Sequence, residues 1–248
     1  MNARDEWASA YGLARSIFIY HGNPWKRRRA RAFYRNWVRP GSLCFDIGAH
    51  VGDRTGHFLA LGARVVALEP QDGPMAVLTF LYGKNPDFTG IKAAAGAGRG
   101  EALLAIDPGN PTVASLSPQW VEEVSRDASF RGLNWRKRVP VPVTTLDALI
   151  GLYGVPDFCK IDVEGFEAEV LAGLAVPIPM LSIEYVCAAP NATRQAIAQL
   201  ARLGRYRFNR AAGESMRLVN PDWQEGERIL AEIEGLSSGS GDIYARLE

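Results

Sequence analysis

Apolar and polar residues follow one another in short blocks that predict alternating strands and helices. Leu43 to Ile47 is an apolar run that suits a strand buried on both faces, and Arg64 to Pro70 is a second β-rich run. Between them, residues 53–61 place apolar side chains at helical spacing, and Gly62 marks the helix end. A strand, loop, helix and strand in this order predict a doubly wound α/β domain.

The alternation continues to the end of the chain. Pro74, at a first helical position, opens a predicted helix that ends at Gly83, and Thr145 is a predicted helix cap. Further strands are predicted at residues 91–95, 101–106, 141–144, 158–165, 181–185, 206–208 and 243–247. Further helices are predicted at residues 145–150, 166–174, 191–203 and 225–236.

Two stretches depart from this alternation. Residues 1–40 carry apolar side chains at helical 3–4 spacing and precede the first strand, so we predict a helical extension there and a main domain over residues 41–248. Residues 107–138 lose periodicity and are rich in turn and polar residues. Long irregular segments inside compact domains are usually functional or mobile, so we predict a substrate loop or lid, with a decorative insertion as the alternative.

Composition adds few constraints. The chain has 248 residues and a net charge of +1, which by itself indicates neither nucleic acid nor a membrane as partner. No apolar run reaches the roughly 20 residues of a membrane span, and the first residues lack the apolar core of a signal peptide. The three cysteines lack zinc-type spacing. These features predict a cytoplasmic protein with reduced thiols and no membrane span.

Positive charge is concentrated before the first strand. The seven basic residues there are Lys26, Arg27, Arg28, Arg29, Arg31, Arg35 and Arg39. No acid lies among them, and without them the net charge of +1 becomes −6. One interpretation is a helix laid across the sheet with a solvated arginine face. The other is a collar that attracts an anionic substrate or partner.

The loop after the first predicted strand carries the first candidate chemistry. Gly48 and Gly52 can adopt positive φ or let a ligand approach the backbone. Glu69 ends the second strand about twenty residues further on, where such folds use an acid to accept hydrogen bonds from a ribose diol. A pyrophosphate would require glycine in place of His50, so a dinucleotide is disfavoured and S-adenosylmethionine remains compatible. A tight structural turn is the alternative.

Charged residues at strand ends indicate one site along one edge of the sheet. Strand alternation in residues 158–165 places Lys160, Asp162 and Glu164 on one side. Such charges are costly to bury unpaired, and ligands of open α/β sheets bind at the carboxyl ends of the strands. The acids predicted at strand ends are Asp46, Glu69, Asp162 and Glu184.

These motifs resemble the FkbM-type methyltransferases, a family of S-adenosylmethionine-dependent enzymes that mostly O-methylate small molecules and sugars. The resemblance covers roughly residues 43–185, and the string Lys-Ile-Asp-Val-Glu-Gly-x-Glu at 160–167 is specific to the family. His50 departs from the family, which usually has Asn there. The other matching stretches are Phe45-Asp46-Ile47-Gly48-Ala49-His50-Val51-Gly52, Leu68-Glu69-Pro70, Ala95 with Gly100, and Thr145-Leu146-Asp147.

The resemblance implies a fold, a cofactor and a reaction. The fold is a seven-stranded, mostly parallel Rossmann-like methyltransferase sheet, and the reaction is O-methylation of a small molecule or sugar, with an anionic acceptor favoured by the basic stretch. A homo-oligomer stays open. The residues implied in binding S-adenosylmethionine are Asp46, Gly48, Ala49, His50, Gly52, Glu69, Ala95 and Asp162.

Methyl transfer to oxygen requires alignment of two molecules and a base for the hydroxyl proton. The candidate catalytic residues are Asp162, favoured as the base, and Glu164 and Glu184, which would orient the substrate. Alternatively, the three carboxylates hold a divalent ion such as Mg²⁺ that lowers the pKa of the hydroxyl. Lesser base candidates are His21, His50 and His57.

Two other classes of function compete with this prediction. A nucleic-acid methyltransferase, which we favour less, would use the arginine-rich helix as a phosphate track, and its affinity would fall steeply with salt. A non-catalytic S-adenosylmethionine-binding module would keep Glu69 and the glycines without turnover. The charged residues 160–164 argue against such a module, because a protein that only binds needs no desolvated base.

Overall fold

The computed structural model describes residues 3–248 and, from residue 7 onward, their side chains. The helices are α1 (Ala3–His21), α2 (Pro24–Tyr34), α3 (Asp53–Ala60), α4 (Asp72–Tyr82), α5 (Pro118–Val124), α6 (Leu146–Tyr153), α7 (Glu167–Ala172), α8 (Pro190–Leu203) and α9 (Gly226–Glu234). The strands are β1 (Leu43–Ile47), β2 (Arg64–Leu68), β3 (Phe88–Ile91), β4 (Ala94–Ala95), β5 (Gly100–Ile106), β6 (Lys137–Thr144), β7 (Phe158–Ile161), β8 (Met180–Val186), β9 (Tyr206–Ala212) and β10 (Ser240–Leu247).

The main sheet has seven strands in the order β3-β2-β1-β7-β8-β10-β9. The first five are parallel, and β10 runs antiparallel between β8 and β9. The prediction of a doubly wound, mostly parallel, seven-stranded sheet is confirmed. The strand order reverses at β1, because the chain first adds β2 and β3 on one side and later β7 and β8 on the other. Ligands of such sheets bind at the carboxyl ends of the strands beside this reversal.

A second sheet of three strands, in the order β4-β6-β5, corrects one predicted element. The predicted strand at residues 91–95 is two strands, since β3 ends at Ile91 and β4 belongs to the smaller sheet. The Ala93 N–H donates to the Ile91 carbonyl at 2.9 Å, a tight turn that redirects the chain between the two sheets. The predicted strand at 141–144 begins earlier, at Lys137.

The segment predicted to be irregular is partly ordered. Residues 118–124 form helix α5, and Trp120 and Trp135 are both buried. The Trp135 indole N–H donates to the Val113 carbonyl at 2.6 Å, which ties the two ends of the segment together. The segment therefore packs as a small unit with its own apolar centre.

The two N-terminal helices pack on the domain in different ways. Helix α2 buries Phe33 and Tyr34 against α3 and the main sheet, with ring centroids of Tyr34 and Phe58 5.0 Å apart. Helix α1 contacts α4 and the turn at residues 111–113. Across residues 3–248, no helix combines the length and apolar character needed to cross a bilayer.

Candidate active site

The loop after β1 reverses direction through positive φ angles. Gly48, His50 and Gly52 have φ values of 81°, 48° and 82°. A Cβ atom at Gly48 would lie 1.9 Å from the backbone oxygen of Asp162, so only glycine permits this contact between the loops that follow β1 and β7. Gly48, which was predicted to lie near a ligand, therefore also brings the loops after β1 and β7 together.

Two acids, Asp46 and Glu69, hold the loop after β1 in place. Thr55 donates its hydroxyl to Asp46 at 2.6 Å, and burial raises the pKa of Asp46. Glu69 accepts the His50 N–H at 2.9 Å with one carboxylate oxygen and the Gln71 N–H at 2.8 Å with the other. Burial raises the pKa of Glu69 to about 7, although these two N–H groups oppose the shift. The backbone thus holds the Glu69 carboxylate in one orientation.

A cavity lies beside Glu69. Its walls include Ala94, Ala95, Leu104 and Phe166. A mostly apolar slot with the Glu69 carboxylate in its wall suits a purine ring and its ribose. These residues therefore fit an S-adenosyl group.

A second cavity adjoins the first. Acidic side chains dominate its charged lining: Asp46, Asp53, Asp162, Glu164, Glu184 and Glu214 against Arg54 and Lys160. The walls shared by the two cavities are formed by Gly48, His50, Thr112, Asp162 and Glu164. A molecule in one cavity would therefore contact a molecule in the other at Asp162.

The three predicted catalytic carboxylates converge at this junction. One oxygen from each of Asp162, Glu164 and Glu184 lies within 4.8 Å of the others. The predicted strand alternation is nevertheless wrong, because β7 ends at Ile161 and Asp162 and Glu164 lie in the following loop. Glu164 has a φ of 54°, and Gly165 has one of 84°. This turn, and not strand pleating, points the acids toward one another.

Lys160 decides which carboxylate is charged. It is buried, and its ammonium donates to Asp162 at 2.9 Å and to Asp242 at 2.8 Å. Burial favours the protonated form of Asp162, but the Lys160 charge outweighs it and lowers the pKa of Asp162. Burial and the Asp162 and Glu164 charges raise the pKa of Glu184 well above its ordinary value. Burial and Asp162 do the same for Glu164. These opposite pKa shifts favour an ionised Asp162 beside two carboxyl groups for which the protonated form is favoured.

The family model described as the methyltransferase FkbM domain matches residues 46–186, more than half of the chain. The chain belongs to the FkbM methyltransferase family. It is an S-adenosylmethionine-dependent methyltransferase, as the motifs predicted. The matched range contains Glu184 and the loops that follow β1 and β7. It leaves out α1, α2, β9 and β10.

Solved methyltransferase structures have a similar course of the chain. A TehB-like S-adenosylmethionine-dependent methyltransferase from Corynebacterium glutamicum is 10% identical with a TM-score of 0.49, covering 98% of this chain and 99% of its own. A precorrin-6y C5,15-methyltransferase from Geobacter metallireducens is 14% identical with a TM-score of 0.46, covering 90% and 87%. Fibrillarin from Aeropyrum pernix, with bound S-adenosylmethionine, is 11% identical with a TM-score of 0.45, covering 84% and 68%. No curated protein matches this chain.

The FkbM site includes charged residues that the sequence did not single out. Asp242, on β10, accepts from Lys160 and lies 3.9 Å from the Arg54 guanidinium. Arg54, on α3, donates to Glu214 at 2.7 Å. The sequence does show Asp242 as an acid within an apolar strand, which could have indicated a functional role. Its distance along the chain from Lys160 gives no indication that the two residues pair. Nothing in the sequence indicates that Arg54 and Glu214 pair across 160 positions.

The three histidines have different surroundings. His50 lines both cavities, and burial lowers its pKa to about 4, so it is neutral and only weakly basic at pH 7. His57 is buried with its Nε2 3.3 Å from Asp53, and it does not line either of these two cavities. His21 uses Nε2 to donate to the Val51 carbonyl at 2.9 Å, so that nitrogen cannot accept a proton. Among the histidines, only His50 is at the junction.

The segment at residues 107–138 forms part of the wall of the site. Thr112 lines both cavities. The Ser115 hydroxyl donates to the backbone oxygen of Glu164 at 2.6 Å. Trp120 lies against Gly165 so closely that a Cβ there would be 2.1 Å from the indole ring. The segment therefore supports the loop that carries Asp162 and Glu164.

Proposed function

We propose that this FkbM methyltransferase transfers a methyl group to a hydroxyl of a small molecule or sugar, with Asp162 as the base. The observation that carries this proposal is the position of Asp162 at the junction of the two cavities. Its side chain keeps 37% exposure there, although Lys160 at its side is buried. The carboxylate is thus both ionised and accessible to an acceptor hydroxyl.

The residues divide into two groups. S-adenosylmethionine supplies an electrophilic methyl group on a sulfonium sulfur, which leaves as a neutral thioether. Glu69 would accept hydrogen bonds from the ribose diol, with Gly48, Ala49, His50, Gly52 and Ala95 lining the cofactor. Asp162 would take the hydroxyl proton as the oxygen forms its bond to carbon. Glu164 and Glu184, in the protonated form that their raised pKa favours, would donate to the acceptor and stabilise the Asp162 charge. Asp46 would hold the cofactor loop through Thr55.

The lining of the second cavity favours a hydroxyl-rich acceptor. Carboxyl groups accept and, when protonated, donate hydrogen bonds, as sugar hydroxyls require. An anionic group would be disfavoured inside this cavity, because the acids of its lining outnumber Arg54 and Lys160 even when Glu164 and Glu184 are protonated. A further cavity shares Tyr20, Asp53, Arg54 and Glu214 with it and is also lined by Lys26 and Arg27. An acceptor with an anionic group would place that group there.

A divalent metal is the second candidate feature of the mechanism. The oxygens of Asp162, Glu164 and Glu184 lie within 4.8 Å of one another, and carboxylate oxygens are the ligands that Mg²⁺ prefers. A bound ion would replace the protons on the two glutamates and lower the pKa of the acceptor hydroxyl. Chelator treatment followed by Mg²⁺ addition tests this alternative, since only the metal-dependent reaction is lost and then restored.

The remaining alternatives concern partner and place. A nucleic-acid acceptor is favoured less than a small molecule, because the reacting junction is lined by acids that repel phosphates. The cytoplasmic location stays a prediction, and so does a homo-oligomer. Assays with sugar and RNA acceptors at two salt concentrations distinguish the acceptor classes.

Asp162→Asn tests the proposed base. We expect turnover to fall at least about 100-fold, because a positioned base contributes about 10²–10⁴ in rate. Affinity for S-adenosylhomocysteine should stay within a few fold, since the amide preserves shape. Glu169→Gln, a partly exposed acid on the nearby helix α7, is the matched control and should retain full activity. Full turnover by Asp162→Asn would contradict the assignment.

A further inference from the structure

Helix α1 turns its largest apolar side chains away from the protein. Trp7, Tyr11 and Phe18 lie on one helical face and are 78%, 70% and 78% exposed, and Trp25, in the first turn of α2, is 76% exposed. Amphipathic helices on globular proteins normally direct such a face to the core. Contiguous exposed aromatic residues mark an interaction surface.

Packing on the opposite face fixes this orientation. A Cβ atom at Gly12 would lie 2.5 Å from the backbone oxygen of Gly109, so α1 approaches the domain through its smallest residues. Ser16 is buried on the same face, and Arg15 donates to Asn110 at 2.6 Å. The aromatic side chains cannot turn inward without breaking this contact. Their exposure therefore belongs to the folded state.

The adjoining helix α2 is strongly basic. Lys26, Arg28, Arg29 and Arg35 are exposed, and so is Arg39, which follows the helix. No acid occurs between residues 22 and 41, whereas the chain outside the seven basic residues carries −6. A negatively charged partner would attract these helices and repel the rest of the molecule. The charge distribution thus orients the protein as well as attracting the partner.

We propose that α1 and α2 dock reversibly on an anionic membrane surface. Trp and Tyr favour the boundary between lipid headgroups and acyl chains, and basic residues nearby bind anionic headgroups. Apolar contact and electrostatic attraction together give stable but reversible interfacial binding. A second copy of the chain is disfavoured, because two α2 helices would repel each other. Single-stranded nucleic acid is disfavoured, because a convex helix face provides no groove to follow its backbone.

Vesicle binding by the full chain tests the proposal. We expect co-sedimentation with phosphatidylcholine vesicles that contain phosphatidylglycerol, weaker binding as salt increases, and little binding to phosphatidylcholine alone. Tryptophan fluorescence should shift to shorter wavelength on binding. Trp120 and Trp135 are buried and Trp37 and Trp223 are partly buried, so most of the shift would come from the exposed Trp7 and Trp25.

Two variants separate the apolar and the electrostatic contributions. Trp7→Ser, Phe18→Ser and Trp25→Ser combined should weaken vesicle binding at least about tenfold. Arg28→Gln, Arg35→Gln and Arg39→Gln combined should weaken it on the order of 100-fold and remove most of the salt dependence. These side chains are exposed, so thermal stability should change little.

Matched controls remove the same kinds of group elsewhere. Phe80→Ser removes an aromatic ring that is 88% exposed on α4. Lys84→Gln, Arg99→Gln and Arg228→Gln combined remove three exposed charges from other faces. Both controls should bind vesicles as the unmodified chain does. Equal losses in the controls would overturn the proposal.

Two further outcomes would also overturn it. In the first, the unmodified chain ignores anionic vesicles and binds single-stranded RNA. In the second, it ignores vesicles and forms a dimer that the aromatic variant dissociates, measured by light scattering. Methyl transfer is not involved in vesicle binding, so these results are independent of the acceptor proposed above.

Discussion

The two halves of the proposed site, one for the cofactor and one for the methyl acceptor, are built in different ways. The cofactor side uses residues 46–71, a continuous stretch in which the backbone itself orients Glu69 through the N–H groups of His50 and Gln71. The acceptor side gathers charged side chains from distant parts of the chain, such as Lys160, Glu184 and Asp242. Backbone hydrogen bonds position the acid on the cofactor side. On the acceptor side, the charged side chains set one another's protonation states.

Because of this difference, a substitution should damage a different property in each half. A site held by backbone groups should lose binding locally when its one acid is replaced. A network of buried charges should lose folding stability when one member is removed, because a buried charge then loses part of its compensation. Measurements of ligand affinity and of folding stability therefore distinguish the two halves.

The largest effect is expected for Asp242→Asn. This change removes one of the two carboxylates that compensate the buried Lys160 ammonium, so we expect a loss of about 3 kcal/mol of unfolding free energy, the lower end of the cost of breaking a buried ion pair. Urea denaturation measures the loss. Glu234→Gln is the control, because its exposed pair with Arg194 should be worth less than about 1 kcal/mol. Equal losses in the two variants would remove the distinction between the halves.

Glu69→Ala should have a smaller effect, directed at the cofactor. Loss of a charged hydrogen-bond acceptor should weaken S-adenosylhomocysteine binding by about 1.5–3 kcal/mol, measured by calorimetry. Glu184→Gln, on the acceptor side, should leave that affinity within about threefold. An unchanged affinity in folded Glu69→Ala would refute the ribose assignment.

The pH dependence of cofactor binding should report the same carboxylate. Burial raises the pKa of Glu69 to about 7, so the acid is protonated below that pH and ionised above it. Ribose hydroxyls bind the ionised form better, so affinity should rise with pH, by about tenfold between pH 6 and pH 8. Burial also raises the pKa of Glu167 to about 7, so Glu69→Gln is needed to assign the effect. If the slope persists in Glu69→Gln, a different group causes it.

The smallest effect concerns the basic side chains beside the acceptor cavity. Lys26→Gln with Arg27→Gln should raise KM a few fold for an anionic acceptor and flatten its salt dependence, with kcat unchanged. Arg28→Gln with Arg35→Gln, which remove charges that do not line this cavity, should leave KM unchanged. A neutral acceptor should show no change with either pair.

The contrast between the two halves also explains what the sequence could predict. Glu69 and the glycines were found because their spacing along the chain reflects local backbone geometry. Asp162, Glu164 and Glu184 were found as acids near strand ends, although the pleating argument for Glu164 was wrong and a left-handed turn sets its direction. Asp242, Arg54 and Glu214 were missed, because no local pattern encodes pairing across more than 80 positions.

The exposed face of α1 was missed for a related reason. Helical spacing of Trp7, Tyr11 and Phe18 predicts a helix, but it does not say which face packs on the domain. The close contact of Gly12 with Gly109 decides that, and it depends on where the second element lies. The sequence does place small residues opposite the aromatic stripe of α1. That pattern was the available indication of which face packs on the domain.

The contacts of Ser115 and Trp120 with the loop after β7 limit how the substrate range of the enzyme can evolve. Ser115 binds the Glu164 carbonyl, and Trp120 fits only against a glycine at position 165. Residues 107–138 therefore cannot be exchanged between relatives as an independent cassette. A graft that changes the acceptor must carry both contacts with it, or the altered enzyme will lose the alignment of Asp162 along with its old specificity. New acceptors are more accessible through point changes such as those at Thr112, which faces both cavities and makes neither contact.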